Sequence, residues 1–284
     1  MKLSIITINW NNREGLRMTL DNVLSQTARD QFEYVVVDGG ADDGSGEMLR
    51  QEYDGRLDKW TSQPIKPIYK KMNMGVRMAT GDYCLFLNSG DSLNDPDVVK
   101  DVLPYLNGDK DLVIGSIVEG KSRTVVPEPI TGLWMYKASI PHSGAFIKRE
   151  LLIRHPYDES LMIVSDWKFF FETLILDNAS YQMIDRDIAW FDRTGISSTR
   201  PLVVEEERRK VLEQLLPPRI TLDYLQFTKG QGYQNTDYDR FYIKLRKYKY
   251  GRVLYSLNVL TMRFLAIFRQ GARFARSFNP FPKK

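Results

Sequence analysis

Asp38, Asp91, His142 and Asp166 are the side chains of this sequence best suited to chemistry at a site. A carboxylate can take a proton, ligate a hard cation or accept hydrogen bonds from a nucleotide, and an imidazole can do either of the first two. The inventory beyond them is thin. His155 is the second and last histidine, and Cys84 is the single cysteine. An internal disulfide and a cysteine metal cluster are therefore excluded, and a reducing compartment fits best. Asp38 opens the stretch Gly39-Gly40-Ala41-Asp42-Asp43-Gly44-Ser45-Gly46. A glycine-rich loop can cradle phosphate, but this one has neither the G-x-x-x-x-G-K-[ST] nor the G-x-G-x-x-G spacing. Its carboxylates would also repel a pyrophosphate. An aspartate at that position is better suited to accept hydrogen bonds from a base or ribose, which implies a nucleotide held otherwise than in a dehydrogenase.

The elements that must position these groups alternate in period. Leu3–Ile8 reads as a strand, and Arg13–Leu24 as a helix with Leu16, Leu20, Val23 and Leu24 on one face. A strand over Tyr34–Val37 follows, then a helix through about Glu52. A weak strand over Leu57–Thr61 leads to a helix over Tyr69–Ala79, closed by Gly81. Tyr83–Leu87 is a continuous apolar run of the kind a buried parallel strand shows. The alternation predicts an α/β fold with a doubly wound, mostly parallel sheet. Ligands of such sheets bind beyond the carboxyl ends of the strands. There the sequence places Asn9, Trp10 and Asn11, then Asp38, then Asn88-Ser89-Gly90-Asp91. Each loop alone is equally consistent with Asx and Gly making turns. Trp10 reads either as a ring beside a base or as a buried strand-end aromatic.

In the second half, Asp111–Val118 and Arg123–Val126 read as strands, Pro127–Ile140 as a crossing loop, and His142–Ile147 as the start of a strand. Ser165-Asp166-Trp167 caps a helix over Lys168–Leu176, whose Phe169, Phe170 and Phe171 read as core. Tyr181–Phe191 is a further strand region. The composition, 43% hydrophobic and 27% charged, excludes a collagen-like or wholly disordered chain. Met1-Lys2 runs directly into a strand, so no signal peptide is expected, and no apolar run of spanning length occurs. Charge divides the chain. Residues 240–284 hold twelve Lys/Arg and no Asp/Glu, against 28 basic and 36 acidic residues before them. At 100° per residue, Val253, Leu257, Leu260, Phe264, Ile267, Phe268 and Phe278 fall in one arc of about 100°, and Arg252, Arg263, Arg269, Arg273 and Arg276 in another of about 140°. That is the pattern of an interfacial helix, although Leu254, Tyr255 and Leu265 depart from it and a helix packed on the body is the alternative.

The motifs now order themselves. Ser4-Ile5-Ile6-Thr7 through Asn11-Asn12 is followed by Leu24-Ser25-Gln26-Thr27, then by Val35-Val36-Val37-Asp38-Gly39-Gly40 with Asp43-Gly44-Ser45. After these come Ile68-Tyr69 with Met72-Asn73-Met74-Gly75, then Ala79-Thr80-Gly81-Asp82-Tyr83 and Leu87-Asn88-Ser89-Gly90-Asp91-Ser92. Pro141-His142-Ser143, Asp158-Glu159-Ser160, Ser165-Asp166-Trp167 and Gly195-Ile196-Ser197 close the series. Over roughly residues 2–200 the chain resembles the family 2 glycosyltransferases of GT-A type, in the bacterial subgroup that builds capsule, O-antigen and exopolysaccharide. The resemblance implies inverting transfer of a sugar from a nucleotide-sugar, a UDP-sugar first, to a hydroxyl of a lipid-linked or growing surface glycan. It implies Asp166 as catalytic base. It also implies Mn²⁺ or Mg²⁺ held by Asp91 and His142, since an oxygen and an imidazole suit either ion with phosphate and water completing the shell. Asn9, Trp10, Asp38, Lys70, Asn73, Asn88, Gly90 and Asp91 are the implied donor-binding residues. The structural alternatives are a helix N-cap for Asp91 and for Asp166, and a packed loop histidine for His142.

The departures bear on the donor. Relatives carry Asp-x-Gly-Ile-Tyr-Asp-Ala-Met-Asn where this chain reads Ile65-Lys66-Pro67-Ile68-Tyr69-Lys70-Lys71-Met72-Asn73. Two acids are lost and two lysines gained, and Asp91 is the single carboxylate of its motif. Lys70 or Lys71 then serves either to neutralise a diphosphate or as a solvated helix face. The expected organisation is a transferase domain over 1–215, with a donor half to about 118 and an acceptor half from 119. A linker and basic helical tail, binding an anionic membrane surface, would occupy 216–284. The expected location is the cytoplasm, peripheral on the inner face of the cell membrane, with no nucleic-acid partner. The alternatives are a nucleotidyltransferase and a catalytically silent nucleotide- or glycan-binding scaffold.

Overall fold

The structure, a computed structural model, describes residues 1–120, 122–191 and 200–228. Contacts along the chain divide it after Thr221. The basic tail and the Gly195-Ile196-Ser197 loop lie outside the described residues.

One sheet organises the first unit. Its strands are β1 (Leu3–Asn9), β2 (Phe32–Asp38), β3 (Lys59–Ser62), β4 (Tyr83–Phe86), β5 (Ser92–Leu93), β6 (Leu112–Glu119), β7 (Ser122–Thr124), β8 (Ala145–Lys148) and β9 (Tyr181–Trp190). The spatial order is β3-β2-β1-β4-β8-β6-β9-β5, with β7 on β6. β3, β2, β1 and β4 run parallel, as the strand–helix alternation predicts. The second half does not continue that winding. β8 pairs antiparallel with both β4 and β6, β9 lies parallel to β6, and the two-residue β5 closes the far edge against β9. Nothing in Ser92-Leu93 marks it as a strand, because two residues carry no period.

Helices cover the sheet where the apolar stripe predicts. Leu16, Leu20 and Val23 of the Arg13–Leu24 helix are completely buried, and each such side chain contributes about 1.5–3 kcal/mol. The helix Ile68–Met78 lies on β1 and β2. A Cβ at Gly75 would stand 2.4 Å from Ile6 Cγ2, so only glycine permits this approach. The helix after the glycine-rich loop, Ser45–Met48, widens into a π-turn over Leu49–Tyr53. Ser165–Phe170 does the same over Phe171–Leu176. Phe169, Phe170 and Phe171 are core residues, as expected. The Pro127–Ile140 crossing contains a short helix, Gly132–Met135, whose start Thr131 caps by accepting from the Trp134 N–H. Among the described residues no helix is long and apolar enough to cross a membrane.

One buried charge ties the sheet together at the end away from these loops. Glu33 accepts from Lys59 Nζ at 2.8 Å, Ser4 Oγ at 2.5 Å and the Thr80 N–H at 2.7 Å. Burial alone would push its carboxyl up, but these bonds outweigh it and hold the pKa down to about 2. A depressed folded-state carboxyl stabilises the fold above its unfolded value and ceases to as pH falls through the folded one. The Glu33 contribution should therefore be complete above about pH 4.5 and vanish toward pH 2. Glu33→Gln is expected to cost ~1–3 kcal/mol at pH 7 and to flatten the acid limb of the melting temperature against pH. An unchanged acid limb would remove Glu33 from the account.

Candidate active site

Two clusters form where β1, β2 and β4 end. In the first, Asn9 and Asp38 face each other across the β1–β2 register. Asn9 Nδ2 donates to Asp38 Oδ1 at 2.8 Å and to Ser45 Oγ at 3.0 Å. Asp38 Oδ2 accepts from Ser62 Oγ at 2.5 Å and from the Gly40 N–H at 3.2 Å. Gly40 adopts φ +66°, a conformation that leaves no room for a side chain against Gln63 and Pro64. Asp38 thus fastens together the three loops that end β1, β2 and β3. Trp10 stands outside this cluster, 40% exposed, and is not a buried strand-end aromatic.

The two lysines part company. Lys70 is exposed, whereas Lys71 is 1% exposed. Lys71 Nζ donates to Ile65 O at 3.1 Å and Lys66 O at 3.0 Å and lies 5.2 Å from the centre of the Trp10 ring. Burial pulls its pKa down to about 8, against the Asp38 charge, which raises it. The sequence could not separate the pair, because the Ile65-Lys66 segment that covers Lys71 follows no periodic rule. Asn73 is buried and fully occupied. Its Nδ2 donates to Tyr157 O at 2.8 Å and Glu159 Oε1 at 3.0 Å, and its Oδ1 accepts from the Tyr157 N–H at 2.9 Å. It joins the helix to the loop before Asp166.

The second cluster spans 78 positions of sequence. Gly90, at φ +103°, sends its N–H to Thr19 Oγ1 at 3.0 Å and Gly15 O at 3.1 Å, which seats the Asn88–Asp91 loop on the first helix. Asp91 is 4% exposed. It is not a cap: Asp97 precedes the next helix, Val98–Val102. His142 opens a 3₁₀ turn into β8. Asn88 Nδ2 donates to His142 Nε2 at 3.1 Å, so the Nδ1 proton of the neutral ring goes to Asp166 Oδ2 at 3.2 Å. Burial pushes the imidazole pKa down, but the Asp166 bond and the charges of Asp166 and Asp91 outweigh it, and the value lies above the ordinary one. Asp166 Oδ1 accepts from the Trp167 N–H at 2.8 Å and lies 3.1 Å from Tyr69 Oη. Val164, not Asp166, holds the N-cap position of this helix. Asp166 is partly exposed, and its carboxylate faces His142.

A divalent cation can be tested against these donors. Among the described residues no three His, Cys, Asp or Glu side chains group to hold a metal. The set that exists is Asp91, His142 Nε2 and the Asn88 amide. Asn88 Oδ1 is buried and has no hydrogen-bond partner among the described residues. A hard oxygen, an imidazole and an amide oxygen fit Mn²⁺ or Mg²⁺ once the Asn88 amide turns its N–H away from the Nε2 lone pair, with the substrate's own oxygens completing the shell.

Residues not named among the candidates also shape the site. Tyr69 Oη bonds Ile163 O, and Glu207 reaches the same loop from the helix Pro201–Leu215. Tyr69 has a signal, since it stands beside the altered Lys70-Lys71 pair. Glu207 has none.

Comparison with known proteins bears on the family and the fold. The profile of "Glycosyl transferase family 2" matches residues 4–175. A curated relative, "Uncharacterized glycosyltransferase Rv1514c" of Mycobacterium tuberculosis, is 27% identical over 263 residues, covering 86% of this chain and 98% of its own. Staphylococcus aureus TarS residues 1–349, solved in complex with UDP-GlcNAc, superimposes with a TM-score of 0.63 at 19% identity, covering 86% of this chain and 76% of that one. The mannosyltransferase PcManGT of Pyrobaculum calidifontis, solved with GDP-Man and Mn²⁺, gives a TM-score of 0.58 at 15% identity, covering 98% and 82%. These likenesses identify the fold as GT-A. With its profile match extending over more than half of its length, the chain belongs to glycosyl transferase family 2 and is a glycosyltransferase.

Proposed function

We propose that the protein transfers a sugar, with inversion, from a UDP-sugar to a hydroxyl of a lipid-linked or growing surface glycan. The observation that carries this is the continuous contact Asp166–His142–Asn88, which joins a carboxylate at the mouth of the site to the loop that bears Asp91. The acceptor hydroxyl attacks the anomeric carbon in line. Its proton passes to Asp166 Oδ2 as the new glycosidic bond forms and the bond to the diphosphate oxygen breaks. His142 orients that carboxylate through Nδ1. At the other end Asp38 and Asn9, buried and bonded to each other, set the loops that form the floor beneath the base, and the open face of Trp10 stacks on it, its inner face being taken by Lys71. Gly90 lets the donor approach the Asn88–Asp91 backbone. Lys70 supplies positive charge from the exposed side of its helix, and Asn73 keeps the loop before Asp166 in place. Asp91, His142 and Asn88 Oδ1 would hold Mn²⁺ or Mg²⁺, which when bound supplies Lewis-acid charge beside the leaving diphosphate.

Residues 1–215 form the catalytic domain in this reading, donor half to about 118 and acceptor half beyond. Residues 216–284 carry it to an anionic membrane surface on the cytoplasmic side, where each basic group adds ~1 kcal/mol. Flotation with anionic liposomes at low salt tests that assignment, and a protein that ignores them would remove it. For the donor, the decisive experiment is a thermal-shift panel of UDP-, GDP-, CMP- and dTDP-sugars with and without Mn²⁺. Stabilisation follows mass action, so a UDP-sugar is expected to raise the melting temperature most, and more with the metal. A larger shift from another nucleotide would reassign the donor, and no turnover of any of them would favour a silent scaffold.

A further inference from the structure

We infer that the helix Pro201–Leu215, which lies beyond the matched family region, is the positioning element for the Asp166 carboxylate, and that Glu207 is the residue through which it acts. This rests on the assignment of Asp166 as the base. The Glu207 carboxylate accepts three consecutive backbone N–H groups. Oε1 takes that of Met162 at 2.7 Å, and Oε2 takes those of Ile163 at 2.9 Å and Val164 at 3.2 Å. Those residues lead directly into the helix Ser165–Phe170, where Asp166 is the second residue. Their N–H groups point away from any regular ladder, so without Glu207 the segment loses the acceptor that fixes its path. The next residue grips the far side of the base. The Arg208 guanidinium lies 4.9 Å from the centre of the Trp167 ring and donates to Ala138 O at 3.3 Å. Trp167 is itself buried, with its indole N–H on Met135 O at 2.8 Å.

Adjacent residues of one helix turn therefore hold the chain before and after Asp166. Tyr69 completes the arrangement by bonding Ile163 O from the donor side, within 3.1 Å of Asp166 Oδ1. The loop between Tyr157 and Asp166 is thus fixed from two directions, by the donor half through Asn73 and Tyr69 and by the helix Pro201–Leu215 through Glu207. A general base depends steeply on placement, and a 1 Å shift can cost about 10²-fold.

The test is a double-mutant cycle on the full-length protein. UDP release is followed with UDP-GlcNAc, or with whichever sugar nucleotide stabilises the protein most, in the presence of a panel of glycoside acceptors. Glu207→Ala is expected to lower kcat ~10–100-fold, with the donor KM within twofold of wild type. Glu207→Gln retains one carbonyl oxygen but turns an N–H toward a donor, and should fall between. In an Asp166→Asn background, either change should cost less than threefold further, because residues acting through one carboxylate are not additive. A loss from Glu207→Gln that persists in full in that background, or that appears as a raised donor KM, would make Glu207 merely structural and overturn the inference. So would a Glu207→Ala protein with wild-type kcat beside an impaired Asp166→Asn. An unimpaired Asp166→Asn would instead overturn the base assignment, and the inference with it.

Discussion

Asp166→Asn is expected to reduce sugar transfer by ~10²–10⁴-fold, the usual consequence of removing a general base, while nucleotide-sugar binding stays within a few-fold of wild type. The two effects separate because the carboxylate and the proposed nucleotide pocket are built from different residues. Asp166 contacts His142 Nδ1, the Trp167 N–H and Tyr69 Oη, whereas the proposed base pocket is built from Asn9, Asp38 and Trp10. The one amide oxygen of the variant can keep either the Trp167 bond or the His142 bond, which use different carboxylate oxygens, and the loop should keep its course through its separate bonds to Asn73 and Glu207. What the variant lacks is the charge to take a proton. The thermal shift given by a UDP-sugar reports the binding half, and product formation reports the chemistry. Near-wild-type transfer by Asp166→Asn would remove the residue from the mechanism. Loss of donor binding together with transfer would assign it a structural role.

How much of this was legible in the sequence depends on the range of the interaction. The parallel half of the sheet was, because Leu3–Asn9, Phe32–Asp38 and Tyr83–Phe86 are buried along their whole length and read as apolar runs. The polar ends of those strands were legible for the same reason. Asn9, Asp38 and the Asn88–Asp91 loop interrupt apolar runs at equivalent heights in one sheet. The antiparallel half was not, since a chain reversal between β4 and β8 involves residues more than 60 positions apart and leaves no local pattern. Nor were the contacts that set the site. His142 meets Asp166 across 24 positions and Asn88 across 54, and only the resemblance placed them together. Lys71 shows the limit of residue type as a guide. A lysine is ordinarily solvated, yet this one lies beneath Trp10 because two carbonyl oxygens and a ring face meet its charge. Glu207 lies past the motif series, and its significance rests on three backbone N–H groups that no sequence pattern displays.

Asp91→Ala is expected to weaken UDP-sugar binding at least as much as loss of a second-shell residue does at a metal site, ~10–100-fold, in Mn²⁺ and hardly at all in EDTA. His142→Ala should do so less severely. Asp91 is the single carboxylate of its loop, and it is buried at 4% exposure beside His142, whose imidazole it helps to hold above its ordinary pKa. No other acid of that loop can replace it. His142, by contrast, is a neutral donor when it ligates, so its loss removes no negative charge from the cation's surroundings. Titrating Mn²⁺ against UDP binding, by calorimetry or melting temperature, separates this from an effect on the fold, because a folding defect would persist when the metal is chelated. Activity and binding that survive EDTA unchanged would defeat the metal assignment outright. The diphosphate charge would then have to be met by side chains. Lys71 is poorly placed for that, since its ammonium is committed to Ile65 O and Lys66 O beneath the Trp10 ring. Lys70, exposed one residue earlier on the same helix, would become the candidate, and Lys70→Ala would then weaken donor binding in a salt-dependent manner.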